Sequence, residues 1–282
     1  MKKWEPRYLI YIIIIAICIA SILTVVFVQI FKDDSSISNT GFNNHNTVEP
    51  EPERTMEDVK EDFNALLTNE LLKGEFDDST IAKSDNTKPM VYSFFEKKEE
   101  TDNYEVNIHL PVINLQGEIP QKYNNNTQDV FISKANDIFE NAKPKTIYTI
   151  DYVAHVYGNI LSMVIKSTLK ENTNAQRVII QTYNYNLKTG TNATITDMVN
   201  LLEMNKQDAN KLIKEKISEA NKEAEALKLS GYNVFTRDIN SSMYEIDNTS
   251  NFFLSKDGTL YILYAYGNQN FTSELDIVEL GK

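Results

Sequence analysis

Cysteine is nearly absent: the chain of 282 residues has one, Cys18, and it sits inside an apolar run. No disulfide can staple the remainder, so whatever folds there is held by its own core. Histidine is scarce too, with only His45, His109 and His155, none of them paired at metal-ligand spacing. There is no Gly-x-Ser-x-Gly and no Gly-rich phosphate loop. Ser167 and Lys170 match Ser-x-x-Lys in letters, but at a strand end they point to opposite faces, whereas that pair works from one face of a helix. Asp137 and Glu140 read as solvated charge on a helix, and Lys256-Asp257-Gly258 lacks the other ligands of a calcium loop. Catalytic residues, cofactors and metal ligands are therefore all expected to be none, and the protein is expected not to be an enzyme. Positive charge is also in deficit, with 28 Lys and Arg against 40 Asp and Glu, net −12. That argues against nucleic acid and anionic polymers as partners, and favours encounter with a cationic one.

What the chain does have is residues 8–31, 24 positions without a charge. A run so long and apolar is stable in hydrocarbon only as a helix, and at about 36 Å it crosses a core of about 30 Å. Lys2, Lys3 and Arg7 precede it while Asp33 and Asp34 follow, so the N-terminus is expected in the cytoplasm and the C-terminal bulk outside. The competing reading is a cleaved signal peptide, for which the run is long and Ala16-Ile17-Cys18 a poor cleavage site. The lipid bilayer is thus the first expected partner, through a single-pass anchor in the cell membrane.

Five segments follow from composition and periodicity: a cytoplasmic tail 1–7, a transmembrane helix 8–31, a disordered stalk 32–54, and two ectodomain modules, 55–143 and 144–282. The stalk is rich in Asp, Ser, Asn, Pro and Glu and too poor in apolar side chains to order itself. Beyond it, apolar spacing of three and four predicts helices over 55–74, 128–143, 194–202 and 205–229. Alternation predicts strands over 90–95, 104–113, 145–157, 160–169, 176–187, 251–254, 259–266 and 273–280, with Gly158-Asn159 and Lys256-Asp257-Gly258 at tight turns. The predicted class is α+β, a mostly antiparallel sheet with amphipathic helices packed on it. Strand aromatics are the candidate partner-binding residues: Tyr183, Tyr185, Tyr264 and Tyr266, with Asn268.

Three stretches in order carry a resemblance. Tyr104-Glu-Val-Asn-Ile-His-Leu-Pro-Val-Ile113 is one. Tyr183-Asn-Tyr-Asn-Leu-Lys-Thr-Gly190 followed by Thr194-Ile-Thr-Asp-Met-Val199 is the second. The third is Asn251-Phe-Phe-Leu-Ser-Lys-Asp-Gly258. Over about residues 90–280 they resemble the pair of extracytoplasmic domains of unknown function found in lysozyme-sensing transmembrane anti-sigma factors and ahead of some polysaccharide deacetylases. The resemblance implies an α+β ectodomain and a possible protein ligand such as a muramidase. It does not extend to a sigma factor as partner, because seven residues ahead of the anchor are too few to wrap one. The expectation is a membrane-anchored, non-catalytic protein that binds or senses a cationic protein or wall material such as peptidoglycan. The alternatives are an accessory subunit of a membrane complex, and an unrecognised cell-wall enzyme.

Overall fold

The computed structural model describes residues 54–282 apart from positions 75, 78, 143, 144, 269, 270 and 282. Tail, anchor and all of the stalk but Arg54 lie outside the described residues, so the anchor is not seen here. Among the described residues no helix is long and apolar enough to cross a membrane. Glu53–Lys282 makes one compact unit.

The chain runs α1 (Met56–Ala65), β1 (Leu71–Leu72), β2 (Val91–Glu100), β3 (Tyr104–Ile113), α2 (Glu118–Asn141), β4 (Thr146–Tyr157), β5 (Ile160–Glu171), β6 (Arg177–Asn186) and β7 (Thr191–Asn192). Then come α3 (Ile195–Leu201), α4 (Lys206–Leu229), two 3-10 turns, β8 (Phe252–Leu254), β9 (Leu260–Asn268) and β10 (Phe271–Leu280). A seven-stranded sheet has the order β2-β3-β4-β5-β6-β7, with β1 pairing beside β3 on β4, and a second sheet has the order β10-β9-β8. The class is the expected mixed α+β with a largely antiparallel sheet.

The large sheet corrects the expected division at 143/144. β3 and β4 pair in parallel, Tyr104 opposite Thr146 through Ile108 opposite Ile150. Parallel neighbours need a crossover connection, and α2 supplies it. A boundary after α2 would cut this β3–α2–β4 unit, so the two modules are one sheet.

Four layers result. On one face of the large sheet lies α2, its Phe131, Ala135 and Ile138 against Ile108, Tyr148 and Ile150. On the other lies the small sheet, where Val153 and Val164 meet Phe253, Leu263 and Ile277, with Val59 and Phe63 of α1 wedged in. The small sheet's outer face carries α4, through Ala209, Ile213 and Ile217. β4 and β5 are covered on both faces, which is why their sequences run almost continuously apolar near Val153 and Val164. A polar stitch joins the sheets: Ser162 Oγ donates to Asn184 Oδ1 at 2.6 Å and accepts from the Leu254 amide at 2.9 Å, while Asn184 Nδ2 donates to the Phe252 carbonyl at 3.0 Å. All of these groups are buried, so the stitch fixes register as well as distance.

Thr55 and Thr194 each form a capping box, with Asp58 and Asp197 returning to the cap amides at 2.9 and 2.7 Å. α1 stops at Ala65 rather than reaching residue 74, because Asn69 turns the chain at φ 61° and its side chain accepts from the Tyr152 amide at 2.9 Å. Leu71 and Leu72 then pair with Ala154 and His155 of β4. α2 begins ten residues before the predicted start, with Pro120 in its first turn, where a missing N–H removes no helical bond.

Candidate functional site

The five aromatic-strand candidates are not brought to one face. Tyr183 and Tyr185 are 5% and 8% exposed and sit in the core under α2. Tyr264, 5% exposed, packs with Tyr244 in the α4 core, and Tyr266 packs against the same core. Asn268 closes β9, and its side chain lies outside what is described. The tyrosines thus form two packed clusters, one under α2 and one under α4. The first cluster borders a cavity through Tyr183.

The first cavity, about 540 Å³, opens between the start of α2, the end of β6 and the approach to β8. The Tyr123 ring of α2 packs at a tilt against Tyr183, centres 4.2 Å apart, and Tyr183 lies 6.0 Å from Tyr185 with rings nearly parallel. Lys122 and Glu118 stand at its wall with Asn126 and Asn192. The Tyr183 hydroxyl is shut off from solvent and meets no hydrogen-bond partner among the described residues, and the Tyr123 hydroxyl is likewise sealed. Thr127 Oγ1, one turn along α2, and Gln181 Oε1, two residues back along β6, are also sealed from solvent, and neither residue lines the cavity. Burial pushes both phenols well above their ordinary value; a bond to the Thr127 hydroxyl opposes this at Tyr123, and the neighbouring Tyr185 adds to it at Tyr183.

The second cavity, about 600 Å³, lies between the N-terminal end of α1, α4, the segment 234–237 and β10. Its wall holds a buried ion pair: Arg237 Nε and Nη2 donate to Asp276 at 2.6 and 2.7 Å. The Arg237 amide donates to Asn221 Oδ1 at 2.7 Å, and Arg237 Nη1 donates to the Phe235 carbonyl at 3.3 Å. The guanidinium lies by the rings of Phe235 and Tyr266, which stack at 4.7 Å, and the Tyr266 and Tyr244 hydroxyls bond at 2.8 Å. Burial alone would lower the Arg237 pKa, but the Asp276 carboxylate outweighs it and the net direction is up. This constellation is closed on itself: it latches the irregular segment after α4 onto β10.

The remaining sequence candidates are dispersed. His109 is half-buried on β3. His155 is buried, its Nδ1 3.2 Å from the Leu72 carbonyl. Ser167 is sealed in the core of β5, while Lys170 Nζ donates to the Asn174 carbonyl at 2.5 Å. Asp137 pairs with Lys134 at 3.2 Å. Among the described residues no group of three His, Cys, Asp or Glu could hold a metal ion.

His155 carries a pH consequence. Burial lowers its pKa below 6.5, the Leu72 carbonyl opposes this, and nearby Lys256 lowers it while Asp257 raises it. The unfolded chain therefore takes up a proton that the fold resists, and stability falls as pH drops below about 6.5. The carboxylates of Asp58 and Asp85, whose pKa values hydrogen bonds hold below 3.8, lose their contribution only at lower pH. Denaturant titrations between about pH 5 and 7 should show this slope in the native chain and a flatter one in His155→Gln. An equal slope in both would remove His155 as the cause.

No protein-family model matches the chain, and no curated protein matches its sequence. Among solved structures, it is similar to the crystal structure of a DUF3298 family protein from Pseudomonas aeruginosa PAO1, at 14% identity over 63% of this chain and 82% of that one, with TM-score 0.37. It is also similar to a member of the same family from Bacteroides fragilis, at 15% identity over 61% and 80%, with TM-score 0.32. Neither likeness bears on the chemistry of the cavities.

Proposed function

We propose that the chain is a non-catalytic binding protein of the cell envelope, tethered to the membrane by residues 8–31 with its folded bulk outside, and that the cavity beside Tyr183 holds its ligand. The observation that supports this is the cavity wall itself. It sets the packed rings of Tyr123 and Tyr183 beside the polar side chains of Glu118, Lys122, Asn126 and Asn192. Polar groups placed on a rigid concave wall are what recognition requires. Wall material is the favoured ligand. The acidic balance, net −12, supports a cationic protein such as a muramidase as a second reading.

Cosedimentation tests the proposal. The full chain in detergent micelles should pellet with insoluble cell-wall fragments, or be retained by immobilised lysozyme in a salt-sensitive way. Failure to associate with either would contradict a binding role and favour the accessory-subunit reading, in which crosslinks concentrate on residues 8–31.

A further inference from the structure

We infer that β2 is a self-pairing edge: two copies of the chain join antiparallel along it, about a two-fold axis at Lys97, and run their large sheets into one. The inference rests on the sheet edge and is independent of the ligand cavity. β2 ends the large sheet, and among the described residues it pairs on one side only, with β3. β7, at the other end, is two residues long, so the long edge of this sheet is Val91–Glu100. Such an edge presents a row of unpaired amides and carbonyls, a template for another strand. Which groups face outward follows from the hairpin. The Thr101 amide donates to the Tyr104 carbonyl at 2.8 Å, so these two are a hydrogen-bonded pair, and the regular pairing of residues 95–100 with β3 carries the alternation back along β2. Phe95, Lys97 and Glu99 therefore turn their backbone groups to β3, while Glu96, Lys98 and Glu100 turn theirs to the open edge. The side chains of those last three are exposed.

Edge charges ordinarily deter such pairing. On β2 one register turns them into an attraction. A two-fold axis requires outward-facing residues of one copy to meet outward-facing residues of the other, so the axis falls on a residue of the strand. With Lys97 on the axis, Glu96 faces Lys98 of the second copy, and Lys98 faces its Glu96. These are two opposite-charge pairs on one face of the joined sheet, and the backbone bonds of both pairs close with them. Moving the axis to Glu96 or to Lys98 sets like charges directly opposite and leaves no opposite-charge pair on that face. Lys97 meets its own counterpart across the axis, but its charge is already answered within the chain: Nζ lies 2.8 Å from Glu99 and 4.1 Å from the centre of the Phe139 ring. The bulge between Ser93 and Phe95 ends the straight stretch on one side and the turn at Thr101 ends it on the other, which confines pairing to the residues around Lys97. A strand of another sequence would gain the backbone bonds without the matched charges, and this selects a second copy as the occupant.

Cysteine crosslinking of the full chain in phospholipid vesicles tests this, in a Cys18→Ser background. Across the axis two Lys97→Cys thiols come within disulfide reach, their Cα atoms about 4.5 Å apart, whereas two Glu100→Cys thiols stand about 20 Å apart along the antiparallel strands. Mild oxidation should give a covalent dimer roughly tenfold faster with Lys97→Cys than with Glu100→Cys. Adding Lys98→Glu to the Lys97→Cys chain should slow the crosslink about tenfold, because both charge pairs become repulsive, and adding Glu96→Lys as well should restore it. Lys98 is exposed, so the Lys98→Glu chain should melt like its parent and the slowing reports pairing alone. Equal rates for Lys97→Cys and Glu100→Cys, no covalent dimer, or a rate that ignores Lys98→Glu overturns the inference. So does a charge swap that fails to restore the crosslink. A Lys97→Cys chain that couples to a different protein in native membranes gives the edge to another strand and also overturns it.

Discussion

Arg237→Ala is expected to lower the unfolding free energy by about 3–5 kcal/mol, because it leaves the Asp276 carboxylate buried without its cation. Both side chains are almost wholly removed from solvent, at 9% and 4% exposed, so the pair is not screened as a surface bridge would be. The loss has a second component, since the guanidinium also packs beside Phe235 and Tyr266 and donates to the Ala220 carbonyl of α4 at 3.4 Å. Urea unfolding checks the magnitude, and proteolysis checks the place: cleavage should appear first near residues 232–241. The double variant Arg237→Met with Asp276→Leu should recover most of the loss, because no charge is then left unpaired. A loss below about 1 kcal/mol in the single variant would mean that solvent reaches the pair.

Phe63→Ala should cost a similar amount, about 3–5 kcal/mol, through lost transfer energy and the cavity left behind. Phe63 is fully buried and lies 5.4 Å from Tyr261 and 6.4 Å from Phe253, which makes α1 a wedge between the sheets rather than an ornament on the stalk. Arg54 reinforces the wedge by clasping Glu279 of β10 at 2.6 Å and also Asp62 of α1. Phe63→Leu should cost under about 1.5 kcal/mol, since most of the volume remains. If alanine produced only local fraying of residues 56–65, with the global transition unmoved, α1 would be an appendage and the wedge would be wrong.

Much of the fold was legible because its signals are local. α4 shows its core stripe as Ala209, Ile213 and Ile217, and both the Thr194–Asp197 capping box and the Gly158-Asn159 turn stand where the letters put them. Strand partners are not local. Nothing in the alternation of 104–113 or 146–157 says that the two lie side by side in parallel, and so the crossover role of α2 was hidden and a boundary was drawn through it. The overlong first helix has a related cause: Leu66, Leu67 and Leu71 fit helical spacing, but Asn69 and the pairing of Leu71 with β4 draw the chain into extended form. At the candidate site, Tyr183 was visible as a strand aromatic, while its packing beneath α2 against Tyr123 was not. Tyr123 stayed unseen because the expected helix began at 128, while the structure begins it at Glu118.

The placement of residues 54–282 beyond the bilayer is tested most directly by adding a non-permeant protease to intact cells that carry the chain with a C-terminal epitope. The account predicts that the epitope is lost before lysis while the membrane-embedded remnant persists; an epitope that survives until the cells are opened would contradict it.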